Sequence, residues 1–210
     1  MKGKVFVIAA PSGTGKTTIC EQILSRDARL RLSISHTTRR ARAGEEDGVH
    51  YRFVSEKTFR ELREATAFLE HAEYGGNAYG TSWTAIEGPL ELGRDVVLEI
   101  EVQGAAQVRE RMPTACLIFL LPPSLDVLEE RLRGRGTDDE DAIQRRMALV
   151  DRELAAAEIF DYLVVNDELD TAVDQVLEVI NAIREGRSDE IRSIHGRPIA
   201  LARWSESQIS

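Results

Sequence analysis

Residues 10–18, Ala-Pro-Ser-Gly-Thr-Gly-Lys-Thr-Thr, constrain this chain more than any other segment. An apolar run, Val5-Phe6-Val7-Ile8-Ala9, precedes them, and apolar residues at helical spacing, Ile19, Ile23 and Leu24, follow. Strand, glycine-containing turn and helix in that order are the context a phosphate-binding loop requires. Gly13 and Gly15 permit the tight turn that points successive backbone N–H groups at one anion. The new helix adds its N-terminal partial positive charge at the same place. Lys16 supplies a compact cation for the β- and γ-phosphates of a nucleoside triphosphate, and Thr17 a hydroxyl for a magnesium ion that travels with it. Ser12, Thr14 and Thr18 complete the loop around the triphosphate. The strict pattern has glycine where this chain has Ala10, so the flanking strand and helix carry part of the argument. A dinucleotide-binding turn fits less well: its third small residue would fall at Thr18, and it does not call for the Lys-Thr pair.

A chain of 210 residues suits a single domain with inserted subdomains and can bury a substantial core. The net charge of −9 argues against a general nucleic-acid binder. No signal peptide and no apolar segment long enough to span a bilayer is evident, so a cytoplasmic protein is expected. Cys20 and Cys116 lie in apolar surroundings without Cys-x-x-Cys spacing and read as buried reduced thiols. His36, His50, His71 and His195 are scattered, and no metal is assigned to protein side chains alone.

Apolar runs alternating with helical patterns predict an α/β fold with a mostly parallel sheet and helices on both faces, a three-layer core. Strands are expected at Val5–Ala9, Leu30–Ser35, Asp95–Glu101, Ala115–Leu120 and Tyr162–Val165. Helices are expected at Lys16–Ser25, Ala105–Met112, Leu125–Arg133, Glu140–Ile159 and Leu169–Arg184. Residues 36–86 break the alternation with Gly44, Gly48, Gly75, Gly76 and Gly80, short strand-like pieces and one helix near Lys57–Ala65, and read as an insertion. A second insertion, 126–156, holds the arginine-rich Arg131-Leu-Arg-Gly-Arg-Gly and an acidic helix start at Asp138-Asp-Glu-Asp. The core then comprises 1–35, 87–125 and 157–186. Residues 187–210, with weak periodicity, read as a tail whose order the pattern does not decide.

The first insertion carries the second chemical signal. Arg39, Arg40 and Arg42 crowd a loop with the hydroxyls of Thr37, Thr38 and Tyr51. Guanidinium groups bind phosphate in bidentate fashion, so this loop is a candidate second anion site beside the first.

Six segments in order give a specific resemblance: Ala-Pro-Ser-Gly-Thr-Gly-Lys-Thr, Ser35-His-Thr-Thr-Arg-Arg-Ala-Arg-Ala-Gly-Glu, Phe68-Leu-Glu-His-Ala-Glu, Gly76-Asn-Ala-Tyr-Gly-Thr, Glu101-Val-Gln-Gly-Ala and Arg135-Gly-Thr-Asp. From about residue 4 to 185 the chain resembles the guanylate kinases, P-loop NTPase-fold enzymes that move a phosphoryl group from ATP to GMP. The resemblance implies a GMP-binding insertion at 36–86 and a lid at 126–156. It implies that Arg39, Arg42, Tyr51 and Tyr79 hold the GMP phosphate, and that Ser35, Glu70 and Thr81 read guanine. Base chemistry agrees: guanine offers adjacent N1–H and N2–H donors to one carboxylate, whereas adenine presents an acceptor at N1. Arg135 and Arg146 match lid arginines over the triphosphate, with Arg131 a further candidate, and Asn166 falls where the family borders adenine. The resemblance also implies Glu101 among the GMP-binding residues, but it departs from the aspartate usual at this strand end, near guanine and the metal, and its longer arm puts that role in question.

The implied reaction is in-line, magnesium-dependent transfer of the γ-phosphoryl group of ATP to GMP, and to dGMP, giving ADP and a nucleoside diphosphate. Lys16, Arg39, Arg135 and Arg146 would carry the electrostatic burden. The acceptor phosphate is largely ionised near neutral pH, its second pKa being about 6, so no general base is required. Two rivals stand beside this reading: a non-catalytic scaffold domain of the same fold, which would be expected to have a degraded phosphate loop, and a kinase for another phosphorylated acceptor.

Overall fold

The computed structural model describes residues 2–134 and 140–207, with several helical residues, Arg146 among them, described by backbone alone. Period-two sorting of apolar side chains builds its core. In β1 (Val5–Ala9), Phe6 and Ile8 enter one hydrophobic cluster while Val5, Val7 and Ala9 enter another on the opposite face. Strands β8 (Cys116–Leu121) and β9 (Tyr162–Val165) split in the same way. Such strands are buried on both faces, which is why they read as continuous apolar runs. With β2 (Leu30–Leu32) and β7 (Asp95–Glu99) they form a five-stranded parallel sheet in the order β2-β7-β1-β8-β9. Helices α1 (Lys16–Arg26), α7 (Leu169–Glu185) and α8 (Ser188–His195) cover one face. Helices α3 (Trp83–Glu91), α4 (Val102–Arg111) and α9 (Arg197–Ser207) cover the other. The α/β architecture with a parallel core sheet is thus as the sequence pattern implies. Strand order reverses at β1, and the crevice beyond the carboxyl ends of its strands is where such sheets bind ligands.

A second sheet of four strands has the order β4-β3-β6-β5. It contains β3 (His36–Thr37), β4 (Arg52–Phe53), β5 (Phe68–Tyr74) and β6 (Asn77–Ser82), with α2 (Glu56–Glu64) between β4 and β5. Ser55 caps α2 by accepting from the Thr58 backbone N–H at 3.0 Å. Strands β5 and β6 are an antiparallel hairpin closed by Gly75 and Gly76, both at positive φ, as a two-residue hairpin turn demands. Their register sets Glu70 opposite Thr81.

Several elements differ from the sequence expectation. Strand β2 stops at Leu32, after which only the Ser33 backbone N–H still reaches Val97. Glu101 leaves the strand to become the N-cap residue of α4, which starts three residues earlier than its apolar pattern. Helix α3 has no counterpart in the expected elements, and it straddles residue 86, the expected end of the first insertion. Helix α5 (Leu125–Gly134) is followed by α6 (Glu140–Ala155), which closes in a 3₁₀ turn at Ala156–Ile159. The segment after 186 is helical: α8 and α9 meet at Gly196, which bridges antiparallel to Tyr162 on the outer edge of β9. Covering an edge strand in this way blocks pairing with another chain. Among the described residues no helix is long and apolar enough to cross a membrane.

Candidate functional site

The phosphate loop is held from its backbone outward. Gly13 and Gly15 adopt φ of +97° and +95°, a region that disfavours any side chain. Space is short as well: a Cβ on Gly15 would lie 2.7 Å from Asn166 Nδ2, and one on Gly13 2.9 Å from Leu132 Cδ2. The buried Asn166, just beyond β9, donates its amide to the Thr14 carbonyl at 2.6 Å. Its own carbonyl accepts from the Arg131 guanidinium at 3.1 Å. Asn166 and Arg131, expected at the adenine and the triphosphate, are thus bonded in series, Asn166 to the loop and Arg131 to Asn166.

At the front of the loop, Lys16 Nζ donates to the Ile100 carbonyl and to Glu101 Oε1, each at 2.9 Å. Burial alone would lower the lysine pKa, but the Glu101 carboxylate outweighs it and the pKa is raised. The extra methylene of Glu101 thus ends on Lys16. The Thr17 hydroxyl donates to Glu99 Oε1 at 2.5 Å. Glu99 was not singled out by the sequence, although it sits beside Glu101 at a strand end. Two hard oxygen donors side by side, a hydroxyl and a carboxylate, suit a magnesium ion whose remaining ligands come from phosphate and water. Among the described residues no cluster of three or more His, Cys, Asp or Glu is arranged to hold a metal unaided.

Glu153 of α6 is a further carboxylate that the sequence reading missed. It accepts from the Ser12 backbone N–H, and burial together with the Glu101 charge pushes it up to about 7. Nothing local in the sequence marks it, because it reaches the loop from a helix far along the chain.

The other half of the site is made of side chains. Ser35 Oγ and Thr81 Oγ1 are 3.1 Å apart, and Glu70 Oε1 accepts from the Thr81 backbone N–H at 2.8 Å. Glu70 is only 3% exposed, and burial pushes its carboxyl up despite the Thr81 bonds. Its second oxygen lies against α4, where a Cβ on Gly104 would come within 2.4 Å of Oε2. Gln107 on the next turn of α4 pins that helix to β5, donating to the His71 carbonyl at 2.6 Å and accepting from the His71 N–H at 3.2 Å. A glycine inside a helical pattern was the available signal for Gly104.

Nearby, Glu45 grips Arg39 in bidentate fashion, Oε1 to Nη2 at 2.8 Å and Oε2 to Nη1 at 2.9 Å, and also accepts from the Arg42 backbone N–H at 2.7 Å. The Arg39 guanidinium holds the Glu45 carboxyl down at about 2. Arg39 also lies over the Tyr51 ring, 5.4 Å from its centroid, and Tyr51 meets Tyr79 edge to face at 6.0 Å.

These two halves face each other across one cleft of about 360 Å³. Ser12, Gly13, Gly15, Lys16, Thr17, Thr18, Glu99 and Glu101 line one side, and Ser35, Arg39, Arg42, Tyr51, Glu70 and Tyr79 the other. Thr14 and Thr81 are fully buried. Arg135 lies outside the described residues, as does the side chain of Arg146.

Known proteins resemble this chain in sequence and in fold. A family model described as guanylate kinase matches residues 2–183. A guanylate kinase of Neisseria gonorrhoeae is 50% identical over 190 residues, covering 90% of this chain and 93% of that protein. One from Hydrogenovibrio crunogenus is 48% identical over 185 residues, 88% of this chain and 90% of that one. The crystal structure of guanylate kinase from Anaplasma phagocytophilum superposes with a TM-score of 0.71 at 30% identity, covering 86% of each chain.

Proposed function

Because this chain belongs to the guanylate kinase family, it is a phosphotransferase acting from ATP on GMP, and we propose that its phosphate loop receives ATP while the second sheet receives GMP. The observation that carries this division is the shared cleft lined on one side by Lys16 and Thr17 and on the other by Arg39, Tyr79 and Glu70. Backbone N–H groups of residues 12–17 cradle the triphosphate, and Lys16 moves from Glu101 to the β- and γ-phosphates. Glu101 then serves as the resting partner of Lys16 rather than as a reader of the base.

Arg39, Arg42, Tyr51 and Tyr79 hold the GMP phosphate. Glu70 accepts from guanine N1–H and N2–H while keeping its bond from Thr81, and the Ser35 and Thr81 hydroxyls face the base's acceptors. An oxygen of the GMP phosphate attacks the γ-phosphorus, the bond to the β–γ bridging oxygen breaks, and ADP leaves with that electron pair. The cationic side chains offset repulsion between the two anions and the charge on the transferred group. A magnesium ion bound with ATP supplies further neutralisation of the β- and γ-phosphates, and Thr17 and Glu99 are the residues that would hold it. The segment 126–156, carrying Arg135 and Arg146, is the lid that excludes water. No contact in this scheme reads the sugar, so dGMP is an expected second acceptor.

The test is ADP release from MgATP with GMP, dGMP, AMP, CMP or UMP, for the wild type and for Lys16→Ala and Glu70→Ala. Turnover confined to the guanine nucleotides and lost in both variants is expected. Guanine preference that persists in Glu70→Ala would remove Glu70 from the reading.

A further inference from the structure

The family match ends at residue 183, yet the ordered chain continues through α8 and α9. Those helices reach the two places where the 126–156 segment leaves and rejoins the core. At the outgoing leg, between β8 and α5, the Trp204 indole Nε1–H donates to the Pro122 carbonyl at 2.6 Å in a buried contact. At the returning leg, between the 3₁₀ turn and β9, the Arg197 backbone N–H donates to the Asp161 carbonyl at 3.2 Å. The Arg197 guanidinium donates to the Glu158 carbonyl within the 3₁₀ turn that precedes this leg. Ala200 and Trp204 share an apolar cluster with Ala157, Phe160 and Leu163, so one face of α9 packs on this junction. Arg109 of α4 steadies the leg from the core side, bonding the Asp161 carboxylate at 2.6 Å.

We propose that α9 braces both hinges of the ATP lid, with Trp204 and Arg197 as positioning residues for lid closure. Both legs are then fixed to one helix, and motion is confined to the chain between Pro122 and Glu158. A lid free at both roots would sample many orientations, few of which lay its arginines over the triphosphate. ATP binding would have to select among them, and the apparent affinity for ATP falls in proportion to the fraction that is competent. The residues proposed for GMP stand on other elements and do not share this dependence.

This inference rests on ATP lying on the phosphate loop beneath that lid. It is tested by steady-state kinetics on Trp204→Phe, which keeps an aromatic ring and removes the donor, on Arg197→Ala, and on the pair combined. Thermal melting is followed in parallel. The double variant is expected to show KM for MgATP raised about fivefold, with KM for GMP changed less than about twofold. Unchanged KM for MgATP in a folded double variant overturns the brace, as does an equal rise for both substrates. A fall in kcat that merely tracks a lower melting temperature, with both KM values intact, also overturns it, since that is the signature of packing alone. Failure of the wild type to turn over MgATP and GMP in the same assay would instead sink the underlying assignment.

Discussion

The five-stranded sheet and the four-stranded sheet each present groups suited to phosphate, and they do so by opposite means. Beside the large sheet the binding surface is backbone: two glycines at positive φ set the N–H groups, and Asn166 props the loop from behind. On the small sheet the surface is side chain: β3 and β4 are two residues long, and the arginine loop keeps its form through Glu45. A backbone site leans on conformation and fails as a unit. A side-chain site is held by pairs and can be dismantled one contact at a time.

The largest effect should come from the backbone site. Gly15→Ala forces a left-handed φ on an L-residue and drives its Cβ against Asn166, so unfolding in urea should show a loss of about 1–3 kcal/mol. ATP binding by titration calorimetry should disappear with it, and retained ATP affinity would break the contrast. Next, Gly104→Ala should separate function from stability. The added methyl meets the movable end of Glu70, displacing the carboxylate without breaching the core. KM for GMP should rise about tenfold, while the melting temperature should hold or increase, since alanine is favoured over glycine in a helix by about 1 kcal/mol. An unchanged KM would mean that Glu70 does not need that position.

Glu45→Gln should weaken the arginine clamp and raise KM for GMP about threefold, with KM for ATP unmoved. It should also alter acid unfolding. The Glu45 carboxyl is held near about 2 in the folded protein, below its ordinary value, so its contribution is present above pH 4.5 and is lost as pH falls toward 2. The variant should lack that segment of the stability profile. The smallest effect concerns Glu153, whose folded pKa lies above its unfolded one. The unfolded state gives up this proton first, so the group's contribution to stability declines as pH rises from 4.5 to about 7. Glu153→Gln should therefore gain stability relative to wild type between about pH 5 and pH 8, measured by urea unfolding. A constant difference across that range would contradict the burial of Glu153 beside the Glu101 charge.

The same contrast governs what the sequence could disclose. The phosphate loop is contiguous and flanked by elements with strong patterns, so its chemistry is written locally. The core strands β1, β8 and β9 are legible because burial on both faces leaves nothing but apolar residues in them. The second sheet offers no such pattern. Ser35, Glu70 and Thr81 meet only through the β5–β6 register and the approach of β3, and only family resemblance gathers them beforehand. Glu99 and Gln107 act through partners distant in the chain, and their spacing carries no signal. The tail hides its structure for a different reason. Helix α8 has two turns and depends on packing for its stability, while Gly196-Arg197-Pro198 has the composition of a loop, although proline is tolerated in the first turn of α9.

The close approach of Gly104 to Glu70 also fixes an order of events for any lineage that abandons guanine. While the carboxylate is in place, a β-carbon at position 104 can enter only by pushing that acid aside. Once Glu70 has been replaced by something shorter, the same position becomes free, and a side chain there could fill the vacated volume and recognise a different base. Drift in the reverse sequence passes through an intermediate with a dislodged acid and a poorly bound acceptor. New base preference is therefore reached from the strand first and the helix second.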